Sequence, residues 1–167
     1  MLVFAILASI LTTAVIAAEP EQIDGIYQIK TADDLIWFRD FVNANTANSG
    51  ASAVLTNDID ASSISDWKTP IGNSFPYDGV FDGNGHCIVN LTYKPSLTKG
   101  KGRALFGEIS EKSVVMNLGI SKATIKAKTS SPNDAHVAAL VGINNGLISN
   151  CFVSGSNIST KSKSTPK

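Results

Sequence analysis

The sequence contains few of the side chains that most often bind metals or act as nucleophiles. It has two cysteines and two histidines in 167 residues. Neither an H-E-x-x-H zinc motif nor a Gly-x-Ser-x-Gly nucleophile motif occurs in it. These absences predict no metal site, no cofactor and no catalytic residue. Because Cys87 and Cys151 stand in apolar, strand-like contexts, we expect two packed free thiols rather than a disulfide.

The sequence also lacks a net charge, since 14 basic residues balance 14 acidic ones. The charges are unevenly distributed: residues 1–93 hold 11 acidic and 3 basic side chains, and residues 94–167 hold 3 and 11. The basic half contains only two aromatic residues, Phe106 and Phe152, too few to interleave with its lysines as a nucleic-acid site would require. We therefore expect no nucleic-acid partner, and we interpret the lysines as solvated loop and edge residues.

Long hydrophobic runs are absent except at the start of the chain. Residues 1–18 carry no charged side chain and end in two alanines, the small residues that signal peptidases prefer. The run is shorter than the ~20 residues of a transmembrane helix. It predicts a signal peptide over residues 1–18, a secreted or cell-surface protein, and no membrane span after cleavage. The mature domain is predicted over residues 19–158 and a disordered tail over 159–167.

One helix is predicted early in the mature chain, over about residues 32–43. Thr31 is a suitable N-cap, because its hydroxyl can accept a hydrogen bond from the first turn. Leu35, Phe38 and Val42 then follow at spacings of three and four, which places them on one helical face. This apolar face requires a partner surface.

An asparagine flanked by apolar residues recurs at three places in the rest of the chain. Asn90, Asn117 and Asn150 are 27 and 33 residues apart, and such periods are typical of stacked repeats. Apolar positions lie two before, one after and three after each asparagine, so the alternation of a strand slips by one residue there. We therefore predict a bend at each asparagine and a structural ladder of amide hydrogen bonds between the three.

Four aspartates are the candidates for chemistry or for cation binding. Asp58, Asp60, Asp78 and Asp82 could supply the two carboxyl groups of a glycosidase, which lie about 5–10 Å apart. All four stand in turn-forming contexts, where aspartate commonly caps backbone N–H groups. Both interpretations remain open at the level of the sequence.

Residues 140–151, Leu-Val-Gly-Ile-Asn-Asn-Gly-Leu-Ile-Ser-Asn-Cys, resemble the GLUG motif of bacterial secreted and surface proteins. Residues 105–119 resemble the same motif less closely. The resemblance implies an all-β fold, a right-handed parallel β-helix (β-solenoid) whose N-terminal end is covered by the helix at about 32–43.

The same resemblance implies a non-catalytic, adhesin-like module, structural or adhesive at the bacterial cell surface. Its expected partners are host or cell-surface glycans or proteins, and we expect a monomer or part of a longer chain. The alternative hypothesis is a carbohydrate-active enzyme, a polysaccharide lyase or hydrolase, that uses the four aspartates. A third is an inert fragment of a longer surface protein.

Overall fold

The computed structural model describes residues 18–129 and 136–162. These residues form one α-helix, α1 (Ala32–Ala44), two 3-10 helices (Thr46–Asn48 and Ala61–Ser63) and seventeen short strands. The first nine strands are β1 Gln22–Ile23, β2 Ile26–Ile29, β3 Ser52–Leu55, β4 Ile59–Asp60, β5 Val80–Asp82, β6 Cys87–Val89, β7 Thr92–Tyr93, β8 Gly102–Arg103 and β9 Phe106–Ile109. The other eight are β10 Val114–Met116, β11 Gly119–Ser121, β12 Thr124–Thr129, β13 His136–Val137, β14 Val141–Asn144, β15 Leu147–Ser149, β16 Phe152–Ser154 and β17 Asn157–Ser162.

Most of the predicted signal peptide and part of the predicted tail are not described by the structure. Residues 1–17 of the predicted signal peptide lie outside the described residues, as do residues 163–167 of the predicted tail. Residues 159–162, also assigned to that tail, belong to β17.

Helix α1 begins where the sequence predicts. The Thr31 hydroxyl accepts a hydrogen bond from the backbone N–H of Asp34 at 3.1 Å, and the Asp34 carboxylate accepts one from the N–H of Thr31 at 2.9 Å. This reciprocal pair is a capping box, which satisfies two N–H groups at the start of the helix. The predicted apolar face is confirmed, since Leu35, Phe38 and Val42 are all buried.

The partner surface of α1 is an aromatic part of the core. The ring of Phe38 lies 5.9 Å from that of Tyr27, 5.9 Å from that of Phe81 and 6.2 Å from that of Tyr77, measured between centroids. Arg39 is buried beside this cluster and donates a hydrogen bond to the carbonyl of Trp67 at 2.9 Å. The helix is therefore part of the core and not a separate element lying on the surface.

The described strands form five sheets with mainly parallel pairing. The largest has six strands in the order β1-β2-β3-β5-β10-β15, and the next two have the orders β16-β11-β6-β4 and β17-β12-β7. Two further pairs join β13 to β8 and β14 to β9. Among the described strands, β1 and β2 alone pair antiparallel. Strand β10 lies between β5 and β15, and β11 likewise lies between β6 and β16.

This architecture contradicts the all-β right-handed parallel β-helix (β-solenoid) predicted from the sequence. The described residues form several separate, mostly parallel sheets that are not closed on one another, together with one short helix. The strands contain only two to six residues each, and the turns between them interrupt the backbone ladder. The recurring apolar blocks therefore indicate parallel neighbours, but they do not specify how the sheets join.

The buried apolar side chains form one core cluster. The repeated blocks at residues 105–107 and 140–142 lie side by side, because Phe106 pairs with Val141 in neighbouring parallel strands. Buried side chains from successive strands then pack against one another. The members from β10, β11, β12 and the turns between these strands are Val115, Leu118, Ile120, Ala123 and Ile125.

Candidate functional site

The bends predicted at the three asparagines are confirmed by the backbone. Asn90, Asn117 and Asn150 have φ angles of 62°, 52° and 51°, in the left-handed region where asparagine is better tolerated than most residues. The N–H of Asn117 donates to the carbonyl of Ser149 at 3.0 Å, and the N–H of Asn90 donates to that of Ser121 at 3.0 Å. The bends at Asn90 and Asn117 are thus tied through their backbone to the neighbouring strand.

The structure joins two of the three asparagines directly. The side-chain amide of Asn150 donates to the Oδ1 of Asn117 at 2.8 Å. The amide of Asn117 in turn donates to the carboxylate of Asp82 at 3.0 Å, not to Asn90. A hydrogen-bonded series therefore runs from Asn150 through Asn117 to Asp82.

Asn90 occupies a different bend. It follows β6, which pairs with β11, whereas Asn117 follows β10, which pairs with β5 and β15. The residues that directly follow β11 and β16 are Lys122 and Gly155, and both have positive φ, 54° and 57°. The residue types at this second bend differ, although the backbone conformation is shared.

Two of the three asparagines, Asn90 and Asn117, are each paired with one of the candidate aspartates. Asp60 Oδ1 accepts hydrogen bonds from the amide of Asn90 at 3.0 Å and from the N–H of Ser62 at 2.9 Å. Asp82 Oδ1 accepts from the amide of Asn117 at 3.0 Å and from the N–H of Asn84 at 2.7 Å. In both cases the aspartate accepts a hydrogen bond from the backbone N–H two residues later in its own turn. It also accepts one from the side-chain amide of the asparagine at the neighbouring bend.

The match between the two pairs extends to the register. Asp60 lies opposite Val89, the residue before Asn90, and Asp82 lies opposite Met116, the residue before Asn117. The same aspartate–asparagine arrangement therefore occurs at two different bends. We call these two hydrogen-bonded pairs, Asp60–Asn90 and Asp82–Asn117, the turn pairs.

Hydrogen bonding lowers the pKa of Asp60 below its ordinary value. The amide of Asn90 is the largest cause, and the N–H and side chain of Ser62 add to it. Donors that favour the charged carboxylate make its protonation harder. Asp60 is therefore ionised at neutral pH, which suits an acceptor of hydrogen bonds and not a general acid.

The two remaining aspartates also contact neighbouring strands. Asp58 Oδ1 accepts from the N–H of Cys87 at 2.9 Å and lies 3.3 Å from the Nδ1 of His86. Asp78 is hydrogen-bonded to the hydroxyl of Ser110 and lies 3.5 Å from the ammonium of Lys112. Each of these carboxylates thus links two turns that are about thirty residues apart in the chain.

The structure brings Asp58 and Asp60 together but not all four aspartates. Both line an open depression of about 330 Å³ that also includes Lys30 and Asp33. Asp82 borders a different groove, on the outer face of the six-stranded sheet. Within residues 18–129 and 136–162, no three potential ligands are arranged to hold a metal ion.

The sequence contains one signal for the turn pairs that the spacing of the asparagines does not show. Asp60 accepts a hydrogen bond from the N–H of Ser62, two residues later, and Asp82 accepts one from the N–H of Asn84 in the same way. This Asp-x-Ser/Asn pattern is typical of an aspartate that caps its own turn. The partner asparagines are 30 and 35 residues further on, so the pairing itself has no local signal.

Both cysteines are free thiols, as the sequence predicts, and each is partly buried. Burial is the main cause of the raised pKa of the Cys87 thiol, and the nearby carboxylate of Asp58 adds to it. In the described part of the chain, no helix is long and apolar enough to cross a bilayer.

The chain is similar to a short segment of a known protein. The chain is 34% identical over 125 residues to Halomucin of Haloquadratum walsbyi, and the match covers 68% of this chain and 1% of that protein. No family model and no solved structure matches the chain. The similarity points to a module of a surface or secreted protein, and it concerns a very small part of the relative.

Proposed function

We propose that this chain is a non-catalytic module, structural or adhesive, of a surface or secreted protein. The observation that carries the proposal is the pair of matched aspartate–asparagine hydrogen bonds between neighbouring turns. They give two of the four acid–base candidates, Asp60 and Asp82, a structural task. The resemblance to GLUG repeats and the similarity to a segment of Halomucin support the same assignment.

The alternative of a polysaccharide lyase or hydrolase has less support from the geometry. A glycosidase needs one carboxyl group that stays protonated to act as an acid. The pKa of Asp60 is shifted in the opposite direction, and its neighbour Asp58 accepts a backbone N–H. The hydrogen bonds around Asp60 therefore favour an ionised, structural role, and the backbone hydrogen bond of Asp58 gives that side chain a structural task as well.

The test combines a binding assay with a cleavage assay on the full chain. The chain is applied to a glycan array and to a cell-adhesion assay, and it is incubated with a panel of neutral and acidic polysaccharides. An adhesive module should bind a glycan or a cell surface, and a purely structural module should bind neither. In both cases we expect no new reducing or unsaturated ends in the polysaccharides. Polysaccharide cleavage that is lost in Asp60→Asn or Asp58→Asn would contradict the proposal.

A further inference from the structure

Two triplets in the sequence match the acceptor pattern of N-linked glycosylation, Asn-x-Ser/Thr with no proline in the middle. They are Asn90-Leu91-Thr92 and Asn157-Ile158-Ser159, which we call the Asn90 triplet and the Asn157 triplet. N-linked glycans are bulky groups that lie on the surface of a protein. The pattern alone does not choose between the two triplets, but their surroundings in the fold differ.

The asparagine of the Asn90 triplet is already engaged. Its side-chain amide, whose nitrogen would carry a glycan, donates to the carboxylate of Asp60 at 3.0 Å. Its backbone N–H donates to the carbonyl of Ser121 at 3.0 Å. Asn90 is partly buried, and Leu91 after it is fully buried. A sugar donor can therefore reach this nitrogen only after the turn opens.

The Asn90 triplet is also bonded to two separate neighbouring segments. The carbonyl of Leu91 accepts a hydrogen bond from the N–H of Thr124 at 2.8 Å, and the carbonyl of Thr92 accepts one from the N–H of Trp67 at 2.8 Å. Trp67 is itself fully buried in the core. Release of this triplet thus disrupts contacts with both segments.

The Asn157 triplet lies in an edge strand. Strand β17 is at the end of its sheet and, within the described residues, pairs only with β12. Asn157 is exposed, and its backbone N–H donates to the carbonyl of Ala123 at 2.8 Å. No hydrogen bond joins its side-chain amide to another residue of the described chain. The nitrogen that would carry the glycan therefore has no competing protein partner there.

The serine of the Asn157 triplet is accessible as well. Ile158 lies opposite the buried Ile125, and successive side chains of a strand alternate between its two faces, so Asn157 and Ser159 share the other face. Ser159 is exposed, and its hydroxyl donates one long hydrogen bond of 3.5 Å to the carbonyl of Ile125. The hydroxyl that completes the acceptor pattern is thus only weakly held.

The two triplets differ in what must open before a sugar can be transferred. A transferase binds the acceptor segment in its own active site, so the segment must first leave its neighbours. Segments with exposed backbone hydrogen bonds and few buried contacts open at a lower free energy than segments of the core. The Asn157 triplet has a neighbour on one side, whereas the Asn90 triplet has neighbours on two sides and a bonded side chain.

We propose that Asn157 carries an N-linked glycan and that Asn90 does not. The donor is an oligosaccharide joined through C1 of its first sugar to a lipid phosphate, and an oligosaccharyltransferase catalyses the transfer. A bond forms between C1 and the Nδ2 of Asn157, the bond between C1 and the phosphate oxygen breaks, and the lipid phosphate leaves. The amide releases one proton, and nothing is oxidised or reduced. The inference goes beyond the proposed function and requires only that the chain is exported.

Glycan transfer to the folded full chain tests the proposal. The chain is incubated with a single-subunit oligosaccharyltransferase that accepts Asn-x-Ser/Thr and with a lipid-linked oligosaccharide, and mass spectrometry of its proteolytic peptides measures the glycan at each asparagine. We expect transfer to Asn157 to be about tenfold faster or more than transfer to Asn90, because the Asn90 triplet must break additional hydrogen bonds. Asn157→Gln and Ser159→Ala should each abolish transfer at position 157. The matched variant Asn90→Gln should leave that transfer unchanged.

Two short peptides separate the effect of the fold from that of the sequence. Peptides of residues 86–94 and 153–161 contain one triplet each and have no folded neighbours, so both should accept the glycan. Absence of transfer to Asn157 in the folded chain, when peptide 153–161 is modified, would overturn the proposal. Equal transfer to Asn90 and Asn157 in the folded chain would also overturn it. So would a peptide 86–94 that accepts no glycan, because the sequence and not the fold would then exclude Asn90.

Failure of this inference is distinguishable from failure of the proposed function. A folded chain that accepts no glycan at Asn157 and cleaves no polysaccharide would leave the non-catalytic assignment in place. Polysaccharide cleavage would overturn that assignment without changing the transfer to Asn157.

Discussion

Strands β10–β12 and strands β15–β17 lie in matched parallel register, but their inward-facing side chains differ strongly in burial. Ile125 is fully buried, whereas its register partner Ile158 is 45% exposed. Ile120 is likewise buried, and its partner Val153 is 47% exposed. The central strands have neighbours on both sides, and the last three have them on one side only within the described residues. Burial at these positions therefore depends on the neighbouring strand more than on the residue type.

The largest expected effect comes from the same substitution at two register partners. Ile125→Ala should lower the free energy of unfolding by about 3 kcal/mol, because it leaves a cavity in a closed core. Ile158→Ala should lower it by about 1 kcal/mol or less, because nearly half of that side chain is already in water. Denaturant unfolding of both variants checks this, and equal losses would break the comparison.

A smaller contrast is expected at the bends. Asn117→Ala removes a side-chain bond to Asp82 and one from Asn150, whereas Asn150→Ala removes only the bond between the two asparagines. Both variants place alanine at a positive φ, so that strain is common to the pair. Asn117→Ala should therefore be less stable than Asn150→Ala by about 1–2 kcal/mol. The converse order in thermal or denaturant unfolding would refute this interpretation of the series.

The smallest expected effect is on the stability of the fold at acidic pH, through the carboxylate of Asp60. Because the folded pKa of Asp60 is below its ordinary value of 3.8, the stability that this carboxylate contributes is present above that value. It is lost as the pH falls through the folded pKa. Asn90→Ala should raise the pKa of Asp60 toward 3.8, and Asn150→Ala, at a bend whose amide acceptor cannot titrate, should leave it unchanged. Carboxyl-carbon NMR titration measures both, and an unchanged pKa in Asn90→Ala would contradict the assignment.

Local chemistry made the helix and the bends predictable from the sequence. The hydroxyl of Thr31 and the apolar spacing after it identify α1, since both act within a few residues. Asparagine at a slip in the apolar alternation likewise identifies each bend, because few other side chains tolerate a positive φ. These features need no information about the rest of the fold.

Register between distant segments could not be predicted in the same way. Strand β6, which precedes Asn90, lies in the four-stranded sheet, whereas β10, which precedes Asn117, lies in the six-stranded sheet. Asn90 and Asn117 therefore occupy different bends, although their flanking residues look alike. Similar local patterns therefore led to an incorrect alignment of the first repeat.

The surroundings of Tyr93 show a second limit of the sequence. Tyr93 falls on an inward-facing apolar position, where only its ring contributes to the pattern. Arg103, whose side chain lies close to the Tyr93 hydroxyl, is ten residues away, beyond a loop that no periodicity describes. The neighbours of this hydroxyl therefore depend on the folded loop.

A double-mutant cycle on Asp82 and Asn117 tests most directly that the candidate aspartates hold turns together. The free energy of unfolding is measured for the natural chain, Asp82→Ala, Asn117→Ala and the double variant, with the exposed Glu111→Ala as a control for the loss of one carboxylate. A charge-assisted hydrogen bond predicts a coupling energy of about 1–2 kcal/mol between the two sites. A coupling within about 0.3 kcal/mol of zero would show that the two side chains act independently, and it would contradict the structural role assigned to Asp82.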